Sequence, residues 1–113
     1  MQTIAEMPEF IKRAERLLGS AEHATLISYL AEFPTAGVVM RRTGGIRKLR
    51  WAREGTGTRG GVRAIYYYHD ERMPLYLLSV FGKNEKANLS AAERNSLAKL
   101  VTLLIKAAGL KDG

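Results

Sequence analysis

The sequence predicts an α+β domain: a small antiparallel or mixed sheet with an N-terminal helical hairpin before it and a C-terminal helix after it. Three observations predict it. Apolar residues recur at helical spacing before Pro34 and again after Ser90. The stretch between them is β-branched and aromatic, with partial alternation. Glycine and proline sit where the period changes. The 113 residues suffice for one domain with one modest core, spanning positions 1–113.

Gln2–Glu6 is expected as a short edge strand. Pro8 suits the first turn of a helix, where its missing N–H costs nothing. Phe10, Ile11, Ala14, Leu17 and Leu18 continue with helical spacing until Gly19. Ser20 is a suitable N-cap for a second helix carrying Leu26, Ile27 and Leu30 on one face, with Pro34 beyond its end. The apolar stripe of this hairpin should pack on a sheet.

Gly37–Met40, Ile46–Ala52, Val62–His69 and Leu75–Phe81 are the strand candidates. Asp70–Pro74 is a tight connection, so the last two strands should be antiparallel neighbours, and Arg53–Gly61 links the middle two as a longer hairpin loop. Ser90-Ala91-Ala92-Glu93 reads as a capping box opening the last helix. Leu97, Leu100, Val101 and Leu104 share one face of it, and Gly109 stops it.

The net charge is +7, and its distribution is more informative than its size. Residues 1–40 sum to −2, residues 41–63 to +7 and residues 64–113 to +2. One segment therefore carries the imbalance, and seven of its eight basic residues are arginine, the type suited to bidentate phosphate contacts. Such density calls for a polyanion, either nucleic acid or an acidic protein partner. The absence of cysteine excludes disulfides, thiol catalysis and thiolate metal sites. Two histidines, His23 and His69, are too few for a histidine-based metal site without carboxylate help. No apolar run is long enough to span a bilayer and the first residues do not resemble a signal peptide, so a cytoplasmic protein is expected.

Gly55, Gly57 and Gly60 match the dinucleotide-binding spacing, but a strand rather than a helix follows them, so that reading is rejected. Tyr66, Tyr67 and Tyr68 must divide between the two faces of their strand. Tyr67 falls with Arg63 and Ile65; Tyr66 and Tyr68 fall with Val62 and Ala64. Tyrosine on a half-buried strand usually packs, although an exposed tyrosine of this run or Trp51 beside a basic groove is also suited to stacking on an unpaired base. Conventional catalytic triads and carboxylate pairs do not stand out. Clustered cations do: Lys48 and Arg50 project from one strand face, Arg63 lies in the partner strand, and Lys83 and Lys86 follow the last strand. Cations converging on one cleft can stabilise the extra charge of a pentacoordinate phosphate.

At these residues the chain resembles the RelE superfamily, in particular its HigB-like toxin branch. The resemblance is carried by Thr43-Gly44-Gly45-Ile46-Arg47-Lys48-Leu49-Arg50-Trp51 and the loop Gly57-Thr58-Arg59-Gly60-Gly61. The strands Val62-Arg63-Ala64-Ile65-Tyr66-Tyr67-Tyr68 and Leu78-Ser79-Val80-Phe81-Gly82-Lys83-Asn84-Glu85 complete it. It implies a toxin of a type II toxin–antitoxin pair that cuts mRNA in the ribosomal A site without a metal or other cofactor. The 2′-hydroxyl attacks the adjacent phosphate, and the partners are a cognate antitoxin and ribosome-bound mRNA with its rRNA surroundings. By the same resemblance Lys48, Arg50, Arg63 and Lys83 are the expected catalytic residues, and Arg47, Trp51, Arg53, Arg59, Tyr67 and Lys86 the expected RNA contacts. Asn84 stands where other members carry an arginine, and Ser90 falls near the position of their catalytic tyrosine. The general base is therefore left among Lys48, Tyr67, Tyr68 and His69. Relatives of the ParE branch share the architecture but inhibit DNA gyrase by binding it, which makes a non-nuclease toxin the alternative.

Overall fold

A computed structural model describes residues 1–51, 61–82, 85 and 89–110. In chain order the elements are β1 (Ile4–Glu6), α1 (Pro8–Leu17), α2 (Ser20–Glu32), β2 (Val38–Val39), β3 (Arg47–Trp51), β4 (Val62–Tyr67), β5 (Leu75–Gly82) and α3 (Ala91–Ala107). The strands form one sheet in the order β1-β5-β4-β3-β2. β1 runs parallel to β5 and every other pair is antiparallel, so the sheet is mixed.

The helices lie on both sides of the sheet. Phe10, Ala14, Leu26 and Leu30 of the hairpin pack with Leu49, Val62, Ala64, Tyr66, Leu75, Leu77 and Val80 on one face. Val101 and Ile105 of α3 pack with Ile46, Ile65, Tyr67 and Leu78 on the other. Two thin cores thus share one sheet, the arrangement that lets a short chain bury both faces of a central strand. β4 shows it most clearly: five of its six residues are buried, and only Arg63 is half-exposed.

Local chemistry fixes the ends. Pro8 occupies the first turn of α1, as its fixed φ favours. The cap of α2 differs from expectation: Gly19 is the N-cap, and the Glu22 carboxylate reaches back to accept its N–H at 3.0 Å, which leaves Ser20 inside the helix. The capping box of α3 forms as expected. The Ser90 hydroxyl accepts the Glu93 N–H at 3.1 Å, and the Glu93 carboxylate accepts the Ser90 N–H at 2.8 Å. β4 ends two residues short of His69 because Asp70 turns the chain, its carboxylate accepting the Arg72 N–H at 2.8 Å.

The β2–β3 turn is held from within. Thr43, fully buried, donates its hydroxyl to the Met40 carbonyl at 2.7 Å and accepts the Ile46 N–H at 3.0 Å. Gly44 and Gly45 adopt φ of 77° and 108°, a region that side chains rarely enter. Arg94 of α3 donates to the Arg41 carbonyl at 2.7 Å and ties the turn to the helix layer.

On the hairpin face, Tyr66 is fully buried and its hydroxyl accepts the Gly37 N–H at 2.8 Å. A Cβ at Gly37 would stand 2.9 Å from the Tyr66 ring and hydroxyl. Gly37→Ala is therefore expected to cost about 1–3 kcal/mol, the usual range for overpacking a filled site. Urea denaturation followed by far-UV circular dichroism checks this, and an unchanged midpoint would contradict it.

Candidate active site

Strand register assembles the candidate site. In β3, Leu49 packs toward the hairpin, so its neighbours Lys48 and Arg50 project to the α3 side. In β4, Ala64 and Tyr66 face the hairpin, so Arg63 joins Ile65 and Tyr67 on the α3 side. Arg50 pairs directly with Arg63, and Lys48 pairs with Ile65, one step along the same face. Directly opposed side chains have Cβ atoms about 4.5–5.5 Å apart and diagonal ones about 7–8 Å. Arg50 is exposed, while Lys48 and Arg63 are half-buried.

Among the described residues, no carboxylate pairs with any of these three. The carboxylates that form ion pairs among the described residues do so elsewhere. Glu6 meets His23, Glu9 and Glu85 meet Arg13, Glu85 also meets Arg16, and Asp70 meets Arg72 and His69. Glu85 is held below the usual carboxylate range by the Gly82 N–H it accepts, then by Arg16. The result is a strip of cations on one open sheet face with no counter-charge among the described residues. Nor, among the described residues, does any group of three or more His, Asp or Glu side chains come together as a metal would require.

The remaining expected residues divide. Arg47 and Trp51 lie across the sheet from the cations. Arg47 donates to the Gly37 carbonyl at 2.7 Å and the Thr35 carbonyl at 3.2 Å, and Trp51 packs on Tyr29 with ring centroids 5.1 Å apart. The Arg47 charge also acts on Tyr66, although burial dominates there and pushes that phenol's pKa up. Tyr67 shares the cation face but is buried in the α3 core, and its hydroxyl meets His69 Nδ1 at 2.9 Å. Tyr68 packs on the hairpin side. Arg53, Arg59, Lys83, Lys86 and the glycines at 55, 57 and 60 lie outside the described residues, as does Asn84.

Two further residues border the strip that sequence reading passes over. Phe81 of β5 is the register partner of Arg63 on its other side. Arg13 of α1 lies over the Phe81 ring, its guanidinium carbon 4.8 Å from the centroid. No local pattern signals Arg13, because its helix reaches the site only through tertiary packing.

A family model described as the RelE toxin of the RelE/RelB toxin-antitoxin system matches residues 21–111, which takes in β2 to β5, α3 and nearly all of α2. The chain belongs to the RelE toxin family. As a RelE-family toxin it is the toxin half of a toxin–antitoxin system and pairs with an antitoxin. No helix among the described residues is long and apolar enough to cross a membrane.

Two predictions come from this geometry. Arginines directly opposed in a sheet repel, by about 0.2–1 kcal/mol. Arg50→Gln should therefore stabilise this RelE toxin by about that amount at low ionic strength, and the gain should shrink in 1 M salt. Urea titrations at the two salt concentrations read it, and a loss of stability would contradict it. The second concerns Asp70, whose pKa the bidentate Arg72 hydrogen bonds lower from 3.8 to about 2. A depressed carboxylate stabilises the fold above its unfolded pKa, and that contribution is lost as pH falls through the folded one. The Asp70 carboxyl should therefore titrate near 2 by NMR and return toward 3.8 in Arg72→Ala. The stability difference between the two proteins should close between about pH 4 and pH 2.

Proposed function

We propose that this toxin is a metal-independent endoribonuclease that cleaves mRNA in the ribosomal A site. The observation that supports the reading is the convergence of Lys48, Arg50 and Arg63 on one open sheet face, with no ion-pair partner among the described residues. A phosphodiester laid on that strip meets the Arg63 and Arg50 guanidinium groups, whose planar forks suit its non-bridging oxygens. The 2′-hydroxyl attacks the adjacent phosphorus, and Lys48, acting as the neutral amine, takes its proton. The bond from phosphorus to the 5′-oxygen breaks, and that oxygen takes a proton from solvent water as it leaves. The products are a 2′,3′-cyclic phosphate and a 5′-hydroxyl end. The pentacoordinate intermediate carries one more negative charge than the diester, so fixed cations favour it over the ground state.

Lys48 is given the base role in this reading because Tyr68 lies across the sheet and the Tyr67 hydroxyl and His69 are hydrogen-bonded to each other. Asn84 does not enter the scheme, and Ser90 is occupied as an N-cap. Lys83 is the fourth catalytic residue of this reading, by the resemblance of the Gly82-Lys83 step to the family's.

The test is a pulse of expression followed by 5′-end mapping of a translated and an untranslatable copy of one mRNA. Cuts confined to the translated copy, in register with codons, are expected. Lys48→Ala, Arg50→Ala and Arg63→Ala should each lose most of the cutting, since a single electrostatic donor to a developing oxyanion contributes about 10²–10³-fold. Circular dichroism should show all three folded. Intact mRNA with arrested growth would overturn the nuclease reading and point to a protein target.

A further inference from the structure

A groove of about 440 Å³ opens on the same sheet face, between the start of α1 and the first turns of α3. Its floor is Ile65, Leu78, Ser79 and Phe81, and Leu97 and Leu100 of α3 form its apolar wall. Glu9, Arg13, Glu93 and Ser96 also line it. Ser79 is 7% exposed, and its hydroxyl has no hydrogen-bond partner among the described residues. A buried polar group left unpaired costs about 1–3 kcal/mol, so its retention here requires a reason.

The backbone supplies a second observation. The β4–β5 register shifts between Ile65 and Tyr66, which pair with Ser79 and Leu77, so Leu78 is an extra residue. This bulge breaks the alternation and brings Leu78 and Ser79 together into the groove. Bulges commonly re-aim a side chain beside a functional site. The groove also adjoins the cation strip. Phe81 is the register partner of Arg63, and Ile65 lies two residues from it on the same face.

We propose that the groove holds one unpaired nucleobase of the RNA whose phosphate sits at Arg63, and that Ser79 reads the polar edge of that base. The inference rests on the RNA-cleaving reading above and adds the source of its base preference. A nucleobase is flat and apolar on its faces but polar at its edge, which fits apolar walls over one unpaired hydroxyl. Phe81, with Arg13 stacked on its ring, offers an aromatic surface of the kind on which bases stack. An aliphatic peptide side chain would leave Ser79 unpaired. A second phosphate would meet the Glu9 and Glu93 carboxylates.

The probes are the four nucleoside 3′-monophosphates and ribose 5-phosphate, added to the whole protein with labelled Ile and Leu methyls. The nucleotides should shift the methyls of Ile65, Leu78, Leu97 and Leu100, whereas ribose 5-phosphate should leave them in place. Ser96→Trp, a substitution at an exposed position, should block the groove and remove those shifts. In Ser79→Ala the preference among bases in cutting ribosome-bound mRNA should fall about fivefold, the equivalent of one hydrogen bond. Identical shifts from nucleotides and ribose 5-phosphate, shifts that survive Ser96→Trp, or an unchanged base preference in Ser79→Ala would each overturn the assignment. So would methyls that respond to an apolar peptide and not to nucleotides. Cleavage with unmoved groove methyls would overturn the groove alone. Base-dependent shifts without any cleavage would sustain the groove and sink the nuclease.

Discussion

A central strand covered on both faces is the constraint on which the rest of this toxin depends. β4 has no polar side to turn to solvent, so each residue must enter one of two thin cores or stand at an uncovered end. Val62, Ala64 and Tyr66 enter the hairpin core, and Ile65 and Tyr67 the α3 core. Arg63 enters neither, and it is the half-exposed residue of the strand. Because β3 pairs with β4 in a fixed register, the position of Arg63 dictates that of Arg50 beside it and of Lys48 one step along. The cation strip is thus a consequence of core packing: a one-residue slip would send Lys48 and Arg50 into the hairpin core.

Repulsion within that strip is a standing cost, and the placement of acidic residues keeps it. Every carboxylate with an ion-pair partner among the described residues is matched to a basic residue of α1 or α2, or of the segment from His69 to Arg72. None reaches β3 or β4. Segment 41–63 carries eight of the 18 basic residues and a single acidic residue, Glu54. A fold selected for stability alone would be expected to place one carboxylate opposite Arg50 or Arg63, where a cross-strand ion pair would stabilise it. Leaving the strip open forgoes that stability, and under the proposed function the strip is the anion site, a stability–activity exchange common in functional sites.

Much of this was legible in the sequence because it depends on local periodicity. Period two in β4 separates Tyr67 from Tyr66 and Tyr68, and the structure divides them in that way. The Ser90 to Glu93 spacing identifies the start of α3, and the parallel edge strand falls within the expected first residues. What was not legible depends on three dimensions. A charge count along the chain groups Arg47 and Trp51 with Lys48 and Arg50, whereas alternation places them across the sheet, where Arg47 binds backbone carbonyls. The bulge at Leu78 and Ser79 leaves only a faint trace, a serine interrupting an apolar run, since a register shift is a property of two strands and neither sequence alone encodes it. Arg13 is further still from view: its contact with Phe81 spans 68 residues of chain.

The Thr43-Gly44-Gly45 turn joins these two kinds of information. Its sequence is readable as a tight turn, but its role is to couple layers. Thr43 closes the turn on itself, Gly44 brings the backbone within 3.6–3.7 Å, measured from an added Cβ, of Val101 and Ala98, and Arg94 clasps Arg41. β3 begins directly after this turn, so the seat of α3 and the starting register of Lys48 and Arg50 are set by the same few residues. A larger side chain at Gly44 would have to adopt a left-handed backbone as well as approach the helix. The short glycine motif therefore fixes how α3 covers the sheet, and hence which part of the cation face stays open.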